Sequence, residues 1–587
     1  MHIANIKLWN YRKYGSHNPF SLDTPNLDLD FNEGLNVLIG ENDSGKTAII
    51  DAIKLVLKTH AYEWIKVEKE DFHIGTSKLR IELLFKDIKP NEAKNFIEWL
   101  GWEGTGENAK PILRLILQVE ISGDKILPSD VKAGMDEIGY PLNAEAREYL
   151  KATYLKPLRD AENELIAKKN SRLSQILLQH KLFEVNDKTK EHQLISDFNV
   201  FNKTVEDWFK LGIGKADIND KIDAFLKSFL SDEANSKITP GKAEIKNILE
   251  KLSLEIIEGK NPGLGTLNRL FMAAELLHLK KDNWNGLSLC LIEELEAHLH
   301  PQAQMKVIEA LSCIKNVQFI LTTHSPNLAS KVELQNIILC HKNDVYPLGE
   351  VIVKGDTKKE DRYTKLAQND YSFLKRFLDV TKSNLFFAKG VIIVEGWSEE
   401  LLIPVIAEKI GCSLTKNEVS VVNVGSTAYL RYAKIFQRND GKELKIPVAI
   451  VTDLDIRPDE SGIFNKKDED KKIIEINKVK EQSVCTYIAK HWTLEWCLYK
   501  STISSEFQKV VKEVHTNTNQ FENEFEKTLK EKLDGTRSKL KKVEIASRLA
   551  ERISEPDIVI DEKDEWLKYI IDAIRYTCGK TKCDEKN

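Results

Sequence analysis

An apolar run, Leu35-Asn36-Val37-Leu38-Ile39, leads straight into Gly40-Glu41-Asn42-Asp43-Ser44-Gly45-Lys46-Thr47 and then into TAIIDAIKLVL, whose apolar residues recur at helical spacing. No other feature narrows the fold as much. A strand, a G-x-x-x-x-G-K-[ST] loop and a helix in that order predict an α/β unit whose loop cradles phosphate. Gly40 and Gly45 let successive backbone N–H groups approach phosphate oxygens, and the helix that follows adds its positive N-terminal dipole. Asn42 lies in the loop, Lys46 is placed to reach β- and γ-phosphates, and the Thr47 hydroxyl is placed on Mg²⁺. A nucleoside triphosphate is the expected ligand.

The elements around this loop set the organisation. IANIKLW precedes it as a strand, and LRIELLF (79–85) and ILRLILQVEI (112–121) read as paired strands beside it. From about Glu145 to Lys260 the chain is charge-rich and helical in period, the pattern of an insertion or association surface. Strand-like runs return at LSLCLIEE (287–294), VQFILTTH (317–324) and IILC (337–340), so the first sheet is expected to be discontinuous in sequence. A second α/β region runs through VIIVEG (391–396), VSVVNVG (419–425) and IPVAIVTDLD (446–455), with helices between; beyond about Asn465 the chain reads as mostly helical. The expected division is 1–150 and 261–380 for a split ATPase, 151–260 for a helical dimerisation insertion, 388–515 for the second α/β domain and 516–587 for a helical C-terminal region.

Composition excludes some classes. With 86 basic against 91 acidic residues, no chain-wide field attracts a polyanion, so any nucleic-acid surface must be local, near Lys168, Lys169 and Arg172 or near Arg537, Lys539 and Lys541. The N-terminus lacks a signal-peptide core and no apolar run approaches the ~20 residues a bilayer needs, which predicts a cytoplasmic protein. The 8 cysteines are scattered without a C-x-x-C pair and read as reduced thiols, with Cys578 and Cys583 unassigned.

Carboxylates end several strands. Glu293 and Glu294 close the run Leu289-Cys290-Leu291-Ile292, where one acid can serve the Mg²⁺ shell and the next the attacking water; His324 closes a neighbouring strand within reach of a γ-phosphate. In the second region Glu395 ends VIIV, Glu399 follows four residues on, and Asp453 and Asp455 form a D-x-D that strand alternation would aim to one side. Hard carboxylate oxygens without Cys or His select Mg²⁺ or Mn²⁺.

These segments carry a resemblance. IEELEAHLHP (292–301), TTHSP (322–326) and WNYRKY (9–14) resemble the Walker B, Asp-loop, His-switch and early N-F-R-S-F segments of ABC-type ATPases related to recombination and chromosome-structure proteins. That resemblance implies Glu293 as the Mg²⁺-associated acid, Glu294 as catalytic base and His324 as the switch histidine. It also implies a composite site closed by a glycine-led helix of a second subunit, for which Asn261-Pro262-Gly263-Leu264-Gly265-Thr266 is the candidate through Gly265. Glu395, Glu399, Asp453 and Asp455 together resemble a Toprim domain. TLEW (493–496) and Lys541-Lys542-Val543-Glu544-Ile545-Ala546 resemble segments that add Glu495 to the metal cluster and Lys542 as a transition-state-stabilising lysine.

An ABC-type ATPase with a helical insertion, followed by Toprim, is similar to the OLD (overcoming lysogenization defect) family of nucleases. The resemblance implies an ATP-regulated, Mg²⁺- or Mn²⁺-dependent DNA endonuclease of bacterial anti-phage defence, dimeric or a higher even-numbered oligomer, with room for a co-encoded helicase-like or retron partner. Two rival readings share these motifs: an ATP-gated DNA-binding or assembly protein without nuclease activity, and a topoisomerase or primase.

Overall fold

The computed structural model describes residues 1–61, 65–157, 161–183, 191–229, 235–257, 262–279, 285–350, 362–425, 428–459, 463–516, 520–535 and 539–583. The chain divides into two units, and the division cuts across the expected ATPase: residues 1–34, 47–303 and 313–321 form the first, and 35–46, 304–312 and 322–587 the second.

In the first unit, strand His2–Trp9 pairs antiparallel with Leu27–Asp30 on one side and Lys78–Lys86 on the other, and Lys78–Lys86 pairs with the long strand Lys110–Ser122. The expected pairing of the 79–85 and 112–121 runs is therefore present. A separate parallel set joins Thr153–Leu155, Leu289–Ile292 and Gln318–Thr323. Thr153–Leu155 lies in a stretch whose charge and period read as helical; it is a strand because its neighbour, Leu289–Ile292, is buried at all four positions and needs a ladder on both edges. Among the described residues of the insertion the longest elements are the helices Gln193–Leu211 and Asp220–Phe229, while 235–244 is neither helix nor strand.

In the second unit, strand Leu35–Ile39 runs parallel to Ile337–His341, which pairs antiparallel with Asp344–Pro347. The other sheet has four parallel strands in the order Val419–Asn423, Gly390–Val394, Val448–Thr452, Val484–Ile488. Three were legible as apolar runs. Val484–Ile488 was not, because VCTYI is short and sits between charged helices, yet it supplies the sheet's fourth strand.

Two helices from the C-terminal region complete this core. Lys542–Ser554 packs along Trp397–Lys409, and Lys568–Thr577 lies against strands Gly390–Val394, Val448–Thr452 and Val484–Ile488. Their apolar faces, including Ile545, Leu549, Ile553, Ile570, Ile571 and Ile574, are buried with Leu402, Ile403 and Ile406. The reading of all cysteines as reduced thiols is corrected here: Cys485, in the fourth strand, forms a disulfide with Cys583, 98 residues away. Sequence spacing carries no trace of that pairing, since only the docking of the C-terminal helices brings the two together. Among the described residues no helix is long and apolar enough to cross a membrane.

Candidate functional site

Strand Leu35–Ile39 is buried at every position and delivers the chain to Gly40, whose φ of 143° and close approach to the Cys340 carbonyl leave no space for a side chain. Asp43 (φ 57°) and Gly45 (φ 99°) are also left-handed, so the loop curls back on itself. The buried Lys46 ammonium fills the curl, donating to the carbonyls of Gly40 (2.9 Å) and Glu41 (2.6 Å) and to Ser44 Oγ (3.1 Å), while Asn42 stays exposed. His324 Nδ1 lies 3.1 Å from the same Gly40 carbonyl. The predicted P-loop lysine and switch histidine thus meet on one backbone oxygen.

The first unit carries the matching acids. Glu293 follows strand Leu289–Ile292, is 3% exposed, and accepts a 2.8 Å hydrogen bond from the Tyr154 hydroxyl. Burial pushes its carboxyl above the usual range; hydrogen bonds from Tyr154 and Thr47 pull it back. Glu294, next in line, is half-buried with φ 45°. Tyr154 was missed along with its strand, and it also lines a cavity of about 470 Å³ with Arg12, Asp51, Lys54 and Asp71. Arg12, from the WNYRKY segment, is tied to Asp51 (2.8 Å) and Asp71 (2.9 Å) there. Gly265 sits in the first turn of helix Leu264–Glu275, where an added Cβ would lie 2.6 Å from the His298 carbonyl of the same chain. Asn261, the start of that candidate segment, lies outside the described residues.

In the second unit the ends of three parallel strands assemble the other acids. Glu395 follows Gly390–Val394, and Glu399 lies in the first turn of helix Trp397–Lys409. Asp453 follows Val448–Thr452, and Glu495 lies in the first turn of helix Leu494–Lys500, capped by Thr493. Lys542, first residue of its helix, reaches Glu495 Oε2 at 2.8 Å. Burial pushes Glu399 up to about 7, and repulsion from Glu495 adds to it. Asp453 is driven well above the carboxylate range, again first by burial and then by Glu399 and Glu495; Lys542 opposes both shifts. Glu399, Asp453 and Glu495 therefore share the Lys542 ammonium, with Glu495 buried and the other two half-buried.

The expected strand through Asp455 ends at Thr452, and that changes the D-x-D reading. Asp455 sits beyond the strand with φ 55° and is exposed, so alternation does not set its direction. The acids form two overlapping neighbourhoods: Asp455 acts on Glu395, and Asp453, Glu399 and Glu495 act on one another around Lys542, with Glu395 acting on Glu399 and Lys542 acting on Glu395 as well. Among the described residues the one trio of metal-type donors within 4.8 Å of each other is His2, Glu33 and Asp87, so these carboxylates stand further apart than a closed coordination shell. Sequence reasoning also missed Thr452, whose hydroxyl donates to Glu395 Oε1.

The basic candidates divide. Lys168 and Lys169 line a cavity of about 480 Å³ with Lys242 and Lys251, a local basic surface. Arg172 is not part of it: the guanidinium is buried in a bidentate pair with Glu275 (2.5 and 2.7 Å), which removes it as a nucleic-acid contact. Arg537 lies outside the described residues, Lys539 is exposed, and Lys541 pairs with Glu544 at 3.1 Å.

One titration follows from this geometry. The Glu399 carboxyl is raised from 4.5 to about 7, so the folded metal-free chain resists its ionisation: that contribution is intact below about pH 4.5 and lost as pH rises through 7. Glu399→Gln is expected to raise the thermal midpoint of the metal-free protein by about 2–4 °C at pH 8 and to leave it unchanged at pH 4, read by scanning fluorimetry in chelator.

Comparisons with known proteins give two domain matches in order along the chain. The family model described as AAA ATPase domain matches residues 1–329, more than half of the chain, and the model described as overcoming lysogenization defect protein-like, TOPRIM domain, matches residues 386–455. Endonuclease GajA of Bacillus cereus (strain HuB5-5) is 22% identical over 80% of this chain and 78% of its own. OLD nuclease of Thermus scotoductus is 23% identical over 73% and 80%, and Retron Ec83 probable ATPase of Escherichia coli is 24% identical over 63% and 79%. With its phosphate loop, its strand-end acids and both matches in this order, the chain belongs to the AAA ATPase domain family in the branch that joins this domain to an OLD-like TOPRIM domain.

Proposed function

We propose that this chain is an ATP-regulated, divalent-metal-dependent DNA endonuclease acting in defence against phage. The observation that carries the reading is the group Glu399, Asp453 and Glu495 around the Lys542 ammonium, Glu495 buried and the other two half-buried, with Glu395 and Asp455 alongside. Such a set is held at a cost unless cations join it, and its all-oxygen donors fit Mg²⁺ or Mn²⁺. Two neighbourhoods of acids suit two ions, Glu395 and Asp455 in one, Glu399, Asp453 and Glu495 in the other. The bound ions would supply an activated water and neutralise charge on the scissile phosphate. Lys542, released from part of its work on Glu495, would then face the phosphate oxygens as a fixed positive charge.

ATP would bind through Gly40, Asn42, Gly45, Lys46 and Thr47, with Glu293, Glu294 and His324 serving hydrolysis and Gly265 of a second copy closing the site. The hydrogen bonds that hold Lys46 to Gly40, Glu41 and Ser44 are replaceable by phosphate oxygens. A homodimer is favoured by the helices Gln193–Leu211 and Asp220–Phe229, which leave Phe201, Trp208, Leu211 and Phe225 exposed. DNA phosphates would meet Lys168, Lys169, Lys242 and Lys251, and affinity should fall with salt.

Incubation of supercoiled plasmid with the full chain and Mn²⁺ tests the reading: nicked or linear product is expected, and persistent binding without cleavage would leave only the ATP-gated binding protein. Lys46→Ala is expected to weaken ATP binding by about a hundredfold or more, through loss of a charge-assisted contact worth about 3 kcal/mol, with Mn²⁺ binding to the second unit unchanged. Titration calorimetry with each ligand separately checks both halves.

A further inference from the structure

We infer that Thr452 and Tyr429 are positioning residues for Glu395, a two-hydroxyl relay that fixes which oxygen of this carboxylate is left to face a cation. The inference rests on the metal-dependent reading above and assigns a role to two residues outside the acid motif.

Thr452 is the last residue of strand Val448–Thr452, 3% exposed, and its Oγ1 donates to Glu395 Oε1 across the neighbouring strand end. Tyr429 opens the helix Tyr429–Lys434, which packs against strands Gly390–Val394 and Val448–Thr452; it is 5% exposed and lies close enough to Thr452 for the two hydroxyls to influence each other. A threonine hydroxyl has one proton to give. An ionised carboxylate can only accept, so Thr452 spends that proton on Glu395, which leaves its lone pairs open to the neighbouring Tyr429 hydroxyl. The inferred relay therefore runs from Tyr429 to Thr452 to Glu395, with its second step the observed bond.

The consequence is orientational. One lone-pair direction of Glu395 is occupied by a buried hydroxyl that lies beside a buried phenol, so Oε2 is the oxygen outside that bond. Asp455, Glu475, Lys472 and Lys542 are the other charged groups acting on this corner. Partners that orient metal ligands in this way typically contribute 10- to 100-fold in metal affinity. Gly396, in the turn between the two glutamates, is closely approached by Glu399: a Cβ there would lie 3.1 Å from Glu399 Oε2.

Thr452→Val keeps the shape and removes the proton; Thr452→Ser keeps the proton. With the full chain, free of nucleotide and DNA, Mn²⁺ binding followed by electron paramagnetic resonance is expected to weaken 10- to 100-fold at one site in Thr452→Val, to return to within a few-fold of wild type in Thr452→Ser, and to weaken by a smaller factor in Tyr429→Phe. The Mn²⁺ concentration for half-maximal plasmid nicking should move in parallel. Unchanged Mn²⁺ binding in both Thr452→Val and Tyr429→Phe, while Glu395→Ala loses a site, would overturn the relay and leave the nuclease reading standing. A wild-type chain that neither binds Mn²⁺ nor nicks would remove that reading first. A covalent link between Tyr429 and cut DNA would also overturn it, by making the phenol a nucleophile.

Discussion

Asp453→Ala is expected to abolish Mn²⁺-dependent nicking, by on the order of a thousandfold or more, while ATP binding is retained. A thousandfold is about 4 kcal/mol of transition-state stabilisation, the scale of losing a preorganised electrostatic contact in a dry site. Asp453 should show the largest effect among the acids because it faces Glu399, Glu495 and Lys542 together, so its loss unbalances the whole neighbourhood. Asp453→Asn separates charge from shape: if the carboxylate's charge holds the ion, asparagine should be nearly as damaging as alanine. Asp455→Ala is expected to be milder, since that side chain is exposed and acts on Glu395 alone among the acids named. Gel quantitation of nicked plasmid over a Mn²⁺ series, with ATP titration in parallel, reads all three. Full activity in Asp453→Ala would end the assignment of this cluster to cleavage.

The difference between the two aspartates marks where the sequence stops being legible. Motif spacing located the phosphate loop, the acid pair after Leu289–Ile292 and each of the strand-end acids, because those signals are local: an apolar run, a turn and a charged residue. Strand alternation then misjudged Asp455, since the strand ends at Thr452 and a left-handed residue redirects the chain. Val484–Ile488 and Thr153–Leu155 escaped for a related reason: each is a short strand in charged surroundings, made a strand by the neighbour it completes. Cys485–Cys583 and Thr452–Glu395 are contacts between distant segments, and neither leaves a periodic mark. Lys542 was legible only as part of a resemblance; its reach to Glu495 depends on one helix packing against another.

Arg172 shows the same limit from the opposite side, and it carries the largest expected effect on stability. Read locally, an arginine two residues after Asn170 and close to Lys168 and Lys169 belongs to a basic surface. In the fold it is the first residue of helix Arg172–Leu178, and it meets Glu275, the last residue of Leu264–Glu275, with Glu275 fully buried. Each charge sits at the wrong end of its own helix dipole, a cation at an N-terminus and an anion at a C-terminus, so neither is stabilised locally and each depends on the other. Arg172 also donates to the His60 carbonyl at 3.2 Å. Arg172→Ala leaves Glu275 buried without its partner and is expected to cost about 3–5 kcal/mol, read as a shift of the first transition in urea unfolding. Replacing both, Arg172→Met with Glu275→Leu, should recover most of that loss, because the penalty comes from the unpaired charge more than from the missing contact. Gly265 lies at the other end of the Glu275 helix, its backbone against His298, so the single variant should also expose this helix to limited proteolysis while the double variant protects it. A single variant as stable as wild type would mean that Glu275 finds water or a proton in place of Arg172.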